Sequence, residues 1–341
     1  MKKVCVAIIN WNGLDWLKKT LPTIQKFSDQ AKIIVIDNNS NDNSKKYIKT
    51  NFKNIELIEY KKNYGFAEGY NRAFKKIKTK YVLLLNNDVL VSKNWIRPLL
   101  LFLEKNKDFS VVQPKILDLN KKTHFEYAGA AGGFIDYNGI PFCRGRIGKK
   151  TEKDMGQYNS HSAIFWASGA CFLINRKMFL KVGGFDQNFN MHQEEIDLCW
   201  RIQGAGKKIG YCPKSKVFHY GGGTLSKSDF KKTFYNHRNN LIMLFKNLPL
   251  IDLIIILLNR LIIDLFIAFK YLFELKIRCF FMIFLAYTSF IFLVPKYLFI
   301  NKKISEKRKA ITKKLAGRYN INIILLLILK YDKFSKLIKK N

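Results

Sequence analysis

The chain has 341 residues, 48% hydrophobic and 14% aromatic, which is enough for a sizeable core and excludes global disorder. Sixty Lys and Arg against 25 Asp and Glu leave a net charge of +35. That excess biases partners toward polyanions such as nucleotides, phosphorylated lipids and anionic membranes, although a codon bias toward Lys, Asn and Ile accounts for part of it.

Residues 4–9, 33–36, 55–59, 81–85 and 110–113 are short apolar, β-branched runs and read as strands. Between them, 14–27, 43–50, 67–77 and 95–104 read as helices. This alternation predicts an α/β fold with a doubly wound, mostly parallel sheet. The runs are apolar on both faces, as strands covered on both sides should be. Polar clusters follow three of them: Asn10-Trp11-Asn12-Gly13, Asp37-Asn38-Asn39-Ser40 and Asn86-Asn87-Asp88. Ligands of open α/β sheets bind outside the carboxyl ends of the strands, so the three clusters predict one site.

Residues 120–160 are glycine-rich and read as loops and short antiparallel strands over that site. Residues 163–174 read as one buried strand, 193–204 as a helix, and 217–219 as a short strand entering Gly221-Gly222-Gly223. The six cysteines form no CxxC or zinc spacing and are expected to be buried free thiols. The apolar run after Met1 is too short for a signal-peptide core, so export by that route is not expected.

After residue 245 the character changes. Residues 249–300 are rich in Leu, Ile and Phe, and Cys279 to Pro295 carries no charge. Residues 301–341 hold 13 Lys and Arg against two acidic residues. Apolar helices beside a basic tail predict docking on an anionic membrane, with one span near 279–299 left open. A helical layer packed on the core is the alternative. The expected division is 1–245 catalytic, 246–300 apolar helical and 301–341 basic.

Several residues can carry chemistry. Asp37 can accept hydrogen bonds from a base or ribose, with Asp42 or Asn43 capping the next helix. Gly65, in Asn63-Tyr64-Gly65-Phe66-Ala67, opens a helix whose free N–H groups suit phosphate. Asp88 offers a hard oxygen ligand for Mg2+ or Mn2+, or a helix cap. On a helix, Glu194, Asp197 and Arg201 share one face. That pattern fits either general-base work or a salt-bridged helix start in which Glu194 is ion-paired. His219 reads as a metal or phosphate ligand, or as a structural histidine.

Taken together, these motifs resemble glycosyltransferase family 2, the inverting enzymes of GT-A fold, and its bacterial rhamnosyltransferase-like members. The resemblance covers roughly residues 3–245. It rests on the segments beginning at Val6, Ile36, Asn63 and Leu85, and on Gly183-Gly184-Phe185-Asp186 leading to Glu194-Glu195-Ile196-Asp197. It implies transfer of a sugar from a nucleotide-diphosphate donor to a lipid-linked or cell-surface glycan acceptor at the cytoplasmic membrane face, with Mg2+ or Mn2+. It implies donor binding by Asn10, Asp37, Asn39, Gly65, Asn71, Asn86 and Asn87, and metal binding by Asp88 and His219. The acceptor would border Trp166 and Gly169. Glu195 would be the base, with Glu194 and Asp197 as the other candidates. The family's DxD reads Asn86-Asn87-Asp88 here, and its Glu-Asp pair reads Glu194-Glu195. A nucleic-acid-binding protein would show a recognisable module, and a nucleotidyltransferase would carry a basic glycine-rich loop where this chain has Asn10 to Gly13; neither feature is evident.

Overall fold

Alternation along the strands decides which helix covers which face. In β1 (Val4–Asn10), Val4, Val6 and Ile8 join a cluster with Leu17, Leu21 and Ile24 of α1 (Leu14–Phe27), whereas Cys5 and Ala7 face the opposite cluster. A computed structural model describes residues 2–148, 150–221, 230–308, 315–329, 331 and 333–334. β2 (Ala31–Asp37), α2 (Ser44–Asn51), β3 (Glu56–Glu59), α3 (Gly65–Lys76) and β4 (Tyr81–Asn86) continue the alternation. β5 (Val89–Val91), α4 (Ile96–Lys105) and β6 (Phe109–Asp118) complete the first half.

β7 (Gly133–Ile135), β8 (Pro141–Cys143), β9 (Arg146–Ile147) and β10 (Lys150–Thr151) form a small antiparallel sheet where short strands were expected. β11 (Ser162–Ile164), β12 (Cys171–Asn175), α5 (Arg176–Lys181), a 3-10 turn at Gln187–Phe189, α6 (Glu194–Gly204) and β13 (Lys208–His219) follow. The main sheet runs β11-β13-β6-β12-β4-β1-β2-β3, with β5 added against β13. β3, β2, β1 and β4 pair in parallel, while β12 runs antiparallel between β4 and β6. The sheet is therefore the doubly wound, parallel-dominated one that the alternation predicts.

Two local expectations change. The single strand expected over 163–174 is two, because the chain turns at Ser168, whose carbonyl accepts from Cys171 N at 3.2 Å. The short strand at 217–219 is the end of the twelve-residue β13. That strand bulges between Cys212 and Lys216 opposite Pro114 and Lys115, where proline offers no ladder donor. All six cysteines are free, five of them buried.

Long helices follow: α7 (Phe230–Asn247), α8 (Leu250–Phe273) and α9 (Ile277–Arg308), then the short α10 (Ile323–Ile328). Within α9, Ile277–Leu298 is long and apolar enough to cross a membrane by length and composition. The segment from residue 315 onward returns to the first domain. Ile135 N donates to Gly317 O and Tyr319 N to Ile135 O, and Phe334 is buried beside Phe134 and Phe142. The described part of the expected basic tail thus completes the core; the rest of it, and Gly222-Gly223, lie outside the described residues.

Asn71 on α3 locks two distant segments together. Its Nδ2 donates to Phe185 O at 2.8 Å and its Oδ1 accepts from Phe185 N at 2.9 Å. Gly184, at φ +67°, has no room for a Cβ, which would lie 2.4 Å from Asn71 Oδ1. Asn71→Ala leaves both backbone groups of Phe185 without partners and should cost about 1–3 kcal/mol in denaturant unfolding, with no change in nucleotide affinity in the folded protein.

Candidate active site

Asn10, at the end of β1, is the hub of the polar rim. Its Nδ2 donates to Asp37 Oδ2 at 3.4 Å and Ser40 Oγ at 3.2 Å, and its Oδ1 accepts from Asn87 Nδ2 at 2.9 Å. A Cβ on Gly13 would lie 2.2 Å from Asn87 Nδ2, so only glycine admits this close approach. Asp37 is fully buried and also accepts from Ser40 N at 2.9 Å. Asn10 and Asp37 therefore shape the rim from beneath, while Asn39, Asn86 and Asn87 stay half-buried at its surface. Asp42 caps as expected, accepting from Leu14 N and Ser44 N. Gly65 takes φ +71°, and a Cβ there would meet Asn190 O at 3.9 Å, an ordinary contact.

Asn38, not singled out in the sequence, ties the rim to the next loop by donating to Asn63 Oδ1 and Gly65 O. The expected donor contact at Asn71 is displaced, since both of its amide atoms are occupied by Phe185. A cavity lined by Ala31, Lys32, Glu56 and Thr79 lies at the opposite, amino ends of the strands, away from these groups.

Pairing of β5 with β13 sets His219 opposite Val89 and hence beside Asp88. His219 Nε2 lies 3.2 Å from Asp88 Oδ1, and Nδ1 lies 3.4 Å from Glu126 Oε1. All three side chains are buried. Burial works against an imidazolium, yet Glu126 and Asp88 outweigh it and push His219 up to about 10. Asp88 Oδ1 and His219 Nδ1 make no hydrogen bond of good geometry. The unpartnered Asp88 Oδ1 beside His219 Nε2 fits a cation that takes further ligands from a bound diphosphate. No ready-made group of three His, Cys, Asp or Glu metal ligands occurs among the described residues. Glu126 gave no sequence signal because it stands alone in an irregular loop. Arg146 lies close by, stacked 4.3 Å over Tyr127, with a buried Nε that has no partner.

α6 begins after a strained approach: Asn190, His192 and Gln193 all have positive φ, costly for residues other than glycine. α7 holds that loop in place. Asn239 Nδ2 contacts the carbonyls of Phe189, Met191 and His192 at 2.8–2.9 Å, and Arg238 Nη2 reaches Asn188 O at 2.9 Å. Nothing in the sequence pattern marked Arg238, Asn239 or Asn240 for this role.

The acidic residues of α6 part company. Asp197 is fully buried and binds Arg201 at 2.8 Å, Lys246 Nζ at 2.9 Å and Asn247 Nδ2 at 2.9 Å. Burial opposes its charge, but Arg201 and Lys246 hold it well below the usual carboxylate range. So placed, it is a fixed anion rather than a proton acceptor. Glu194, expected to share the ion pair, makes none; its Oε2 is buried without a partner, and so is Glu195 Oε2. Desolvation raises both carboxyls, and the Glu195 charge raises Glu194 further. The backbone N–H of Gly169 lies near the Glu195 carboxylate and favours its charged form against desolvation, and Ala170, the next residue, accepts from Asn86 N at 3.0 Å. Of the two residues expected to border the acceptor, Gly169 lies near Glu195, whereas Trp166 is buried and its Nε1 donates to Phe134 O at 2.9 Å.

The sequence profile of glycosyl transferase family 2 matches residues 5–183. The chain belongs to glycosyltransferase family 2. Among curated relatives of this glycosyltransferase, the rhamnosyltransferase WbbL of Escherichia coli K12 is 27% identical over 69% of this chain and 89% of its own. The N-acetylglucosaminyl-diphospho-decaprenol L-rhamnosyltransferase of Mycobacterium tuberculosis is 24% identical over 70% of this chain and 83% of its own. Among solved structures, GalNAc-T7 with UDP, GalNAc and Mn2+ superposes with a TM-score of 0.53 at 20% identity, over 64% of this chain and 43% of its own. The mannosyltransferase PcManGT of Pyrobaculum calidifontis, solved with GDP-Man and Mn2+, gives 0.50 at 13% identity, over 71% and 63%. These neighbours share the GT-A fold.

A buried carboxyl whose folded pKa is raised destabilises the protein once ionised. Glu194→Gln should therefore raise the melting temperature above neutral pH, and the gain should fade as pH drops toward the ordinary carboxylate range. Asp197→Ala, which strands Arg201 and Lys246, should instead lose about 3–5 kcal/mol by denaturant titration.

Proposed function

We propose that this glycosyltransferase moves a hexosyl group, rhamnose by analogy with its relatives, from a nucleotide-diphosphate donor to a hydroxyl of a lipid-linked or cell-surface glycan precursor. The rhamnosyltransferase names of the Escherichia coli and Mycobacterium tuberculosis relatives support the sugar, and the decaprenol-linked substrate of the latter supports the acceptor class. The donor's nucleoside lies over the Asn10–Asp37–Asn87 network and meets Asn39 and Asn86 at the rim. Its diphosphate points to Asp88, His219 and the opening of α3 at Gly65. Asp88 and His219 would hold a divalent cation, Mg2+ or Mn2+, which when bound neutralises charge on the departing diphosphate. Glu126 faces His219 Nδ1 at 3.4 Å, where a carboxylate can orient a ligating histidine. Five buried thiols fit a reducing, cytoplasmic setting.

The observation that carries the reading is Glu195. Its carboxyl is desolvated, has a buried oxygen without a partner, and lies near Gly169, the residue before the Ala170 carbonyl that accepts from Asn86 N. Such a carboxyl is basic enough to take a hydroxyl proton near neutral pH. The acceptor oxygen loses its proton to Glu195 and forms a bond to the anomeric carbon. The anomeric carbon–oxygen bond breaks, its electron pair leaves with the nucleoside diphosphate, and configuration inverts. Asp197 serves as a positioning residue, anchoring α6 so that Glu195 keeps its aim.

Glu195→Gln should lower transfer about 100-fold or more while donor affinity by calorimetry stays at the parental value. In the parent, transfer should rise with pH through a range above that of ordinary carboxylates, and the variant should lose that limb. Asp88→Ala should remove both transfer and the Mn2+-dependent thermal stabilisation by donor, with the circular dichroism spectrum unchanged. Parental transfer by Glu195→Gln would reject Glu195 as the base.

A further inference from the structure

The three long helices form a layer whose inner side is bound to the catalytic domain and whose outer side is bare. α7 runs alongside α9 from end to end and touches α8 near its middle. At one end Arg278 of α9 lies 5.8 Å over the Phe230 ring. In the middle His237, Arg260 and Tyr287, one from each helix, converge on Asp264 at 3.2, 3.0 and 2.9 Å. At the other end Phe245 meets Phe290 at 5.8 Å, and Lys246 lies 5.7 Å from the Tyr297 ring. The opposite side of α7 is fastened to the catalytic domain over the same length, from Lys232 over Tyr127 to Lys246 on Asp186 and Asp197.

This geometry decides how α9 can meet a bilayer. A span by Ile277–Leu298 would carry α7 and the loop before α6 into hydrocarbon, with their buried charges. The chain after α9 also returns to the catalytic domain: Ala316 N donates to Gln203 and Ile323 N to Asp136. The hairpin of α8 and α9 therefore starts and ends on one side.

The outward stripe of α8 is apolar where a water-facing helix would be polar. Ile251, Leu258, Ile262, Phe266 and Phe273 recur at helical spacing opposite the buried Ile256, Arg260 and Asp264, with Ile262 69% and Phe273 86% exposed. α9 extends the patch with Phe281, Leu285 and Phe292, the last 80% exposed. Lys270, Lys276, Arg278 and Lys296 are exposed on the same hairpin, where they outnumber the exposed Asp252 and Glu274; Glu274 pairs with Lys270 and Lys276, and Lys296 reaches Asn188. A patch about 36 Å long, the length of a 24-residue helix, exceeds what a soluble surface leaves bare. Apolar side chains with basic residues beside them match an anionic lipid surface.

We propose that the outer face of α8 and α9 lies in the plane of an anionic bilayer, seating the catalytic domain on one leaflet without crossing it. The end of this layer at Phe230 and Lys232 lies beside Tyr127, next to Glu126, so the site sits near the membrane face and can take an acceptor whose lipid stays in the leaflet. The proposal concerns attachment and stands whichever sugar is moved.

Full-length protein should co-float with vesicles of phosphatidylglycerol and phosphatidylcholine, and more weakly with phosphatidylcholine alone. The double variant Ile262→Glu/Phe292→Glu should bind the anionic vesicles about tenfold less, with parental circular dichroism and parental donor affinity. Leu275→Cys, at the hairpin turn, should react with a membrane-impermeant maleimide added outside sealed vesicles. Protein that stays unbound at low salt, or a double variant that floats like the parent, overturns the proposal. So does a Leu275→Cys protein that reacts only after the vesicles are lysed, which would mark a crossing hairpin. A lipid-free dimer that the double variant dissolves, without vesicle binding, would assign the face to a second copy of the chain.

Discussion

Asp197 keeps its charge at a point without solvent, and much of the molecule is arranged to make that tolerable. Arg201 covers one side of the carboxylate and donates onward to the carbonyls of Val182 and Gly184; Lys246 covers another and reaches Asp186; Asn247 closes the third. A buried carboxylate without such partners would cost several kcal/mol. The network therefore joins α6, α7 and the 182–186 turn as one body. Glu194 and Glu195 sit within one turn of Asp197 on the same helix and have no ion pair among the described residues. The contrast between a satisfied anion and two desolvated carboxyls within four residues gives the helix both its anchor and its basicity.

The strained loop at Asn190, His192 and Gln193 belongs to the same arrangement. Left-handed conformations in three non-glycine residues persist only if something else holds them. Here one amide, Asn239 Nδ2, collects three of the loop's carbonyls. The acid helix is thus aimed by α7, whose other side carries the α8–α9 layer. The polar rim at Asn10, Asp37 and Asn87, by contrast, is built from the first 90 residues and the strand ends they supply.

The parallel half of the sheet was legible because its signals are local. Strand runs, helical connectors and polar ends recur within some ten residues, and the helix expected at 14–27 is found as such. Asp88, His219 and the Glu194–Glu195 pair were legible as residues, but their neighbours were not. Glu126 reaches His219 across more than ninety positions, and the pairing of β5 with β13 that brings His219 to Asp88 is equally non-local. Asn71 and Trp166 misled for the opposite reason. Their sequence context fits ligand contact, yet each side chain is consumed by a backbone partner, Phe185 in one case and Phe134 in the other. The uncharged stretch of α9 has the composition of a span, and only the position of α7 along its length shows why it lies alongside the domain.

The return of residues 315–334 to the first domain orders events during synthesis. Gly317 pairs with Ile135, and Phe334 fills the space between Phe134, Phe142 and Tyr158. At about 5–20 residues per second, the ribosome delivers that plug on the order of ten seconds after the aromatic cavity it fills. The apolar hairpin leaves the tunnel in between, while the cavity is still open. The nascent chain thus presents its apolar outer layer before Gly317 and Phe334 reach the aromatic cavity that they close.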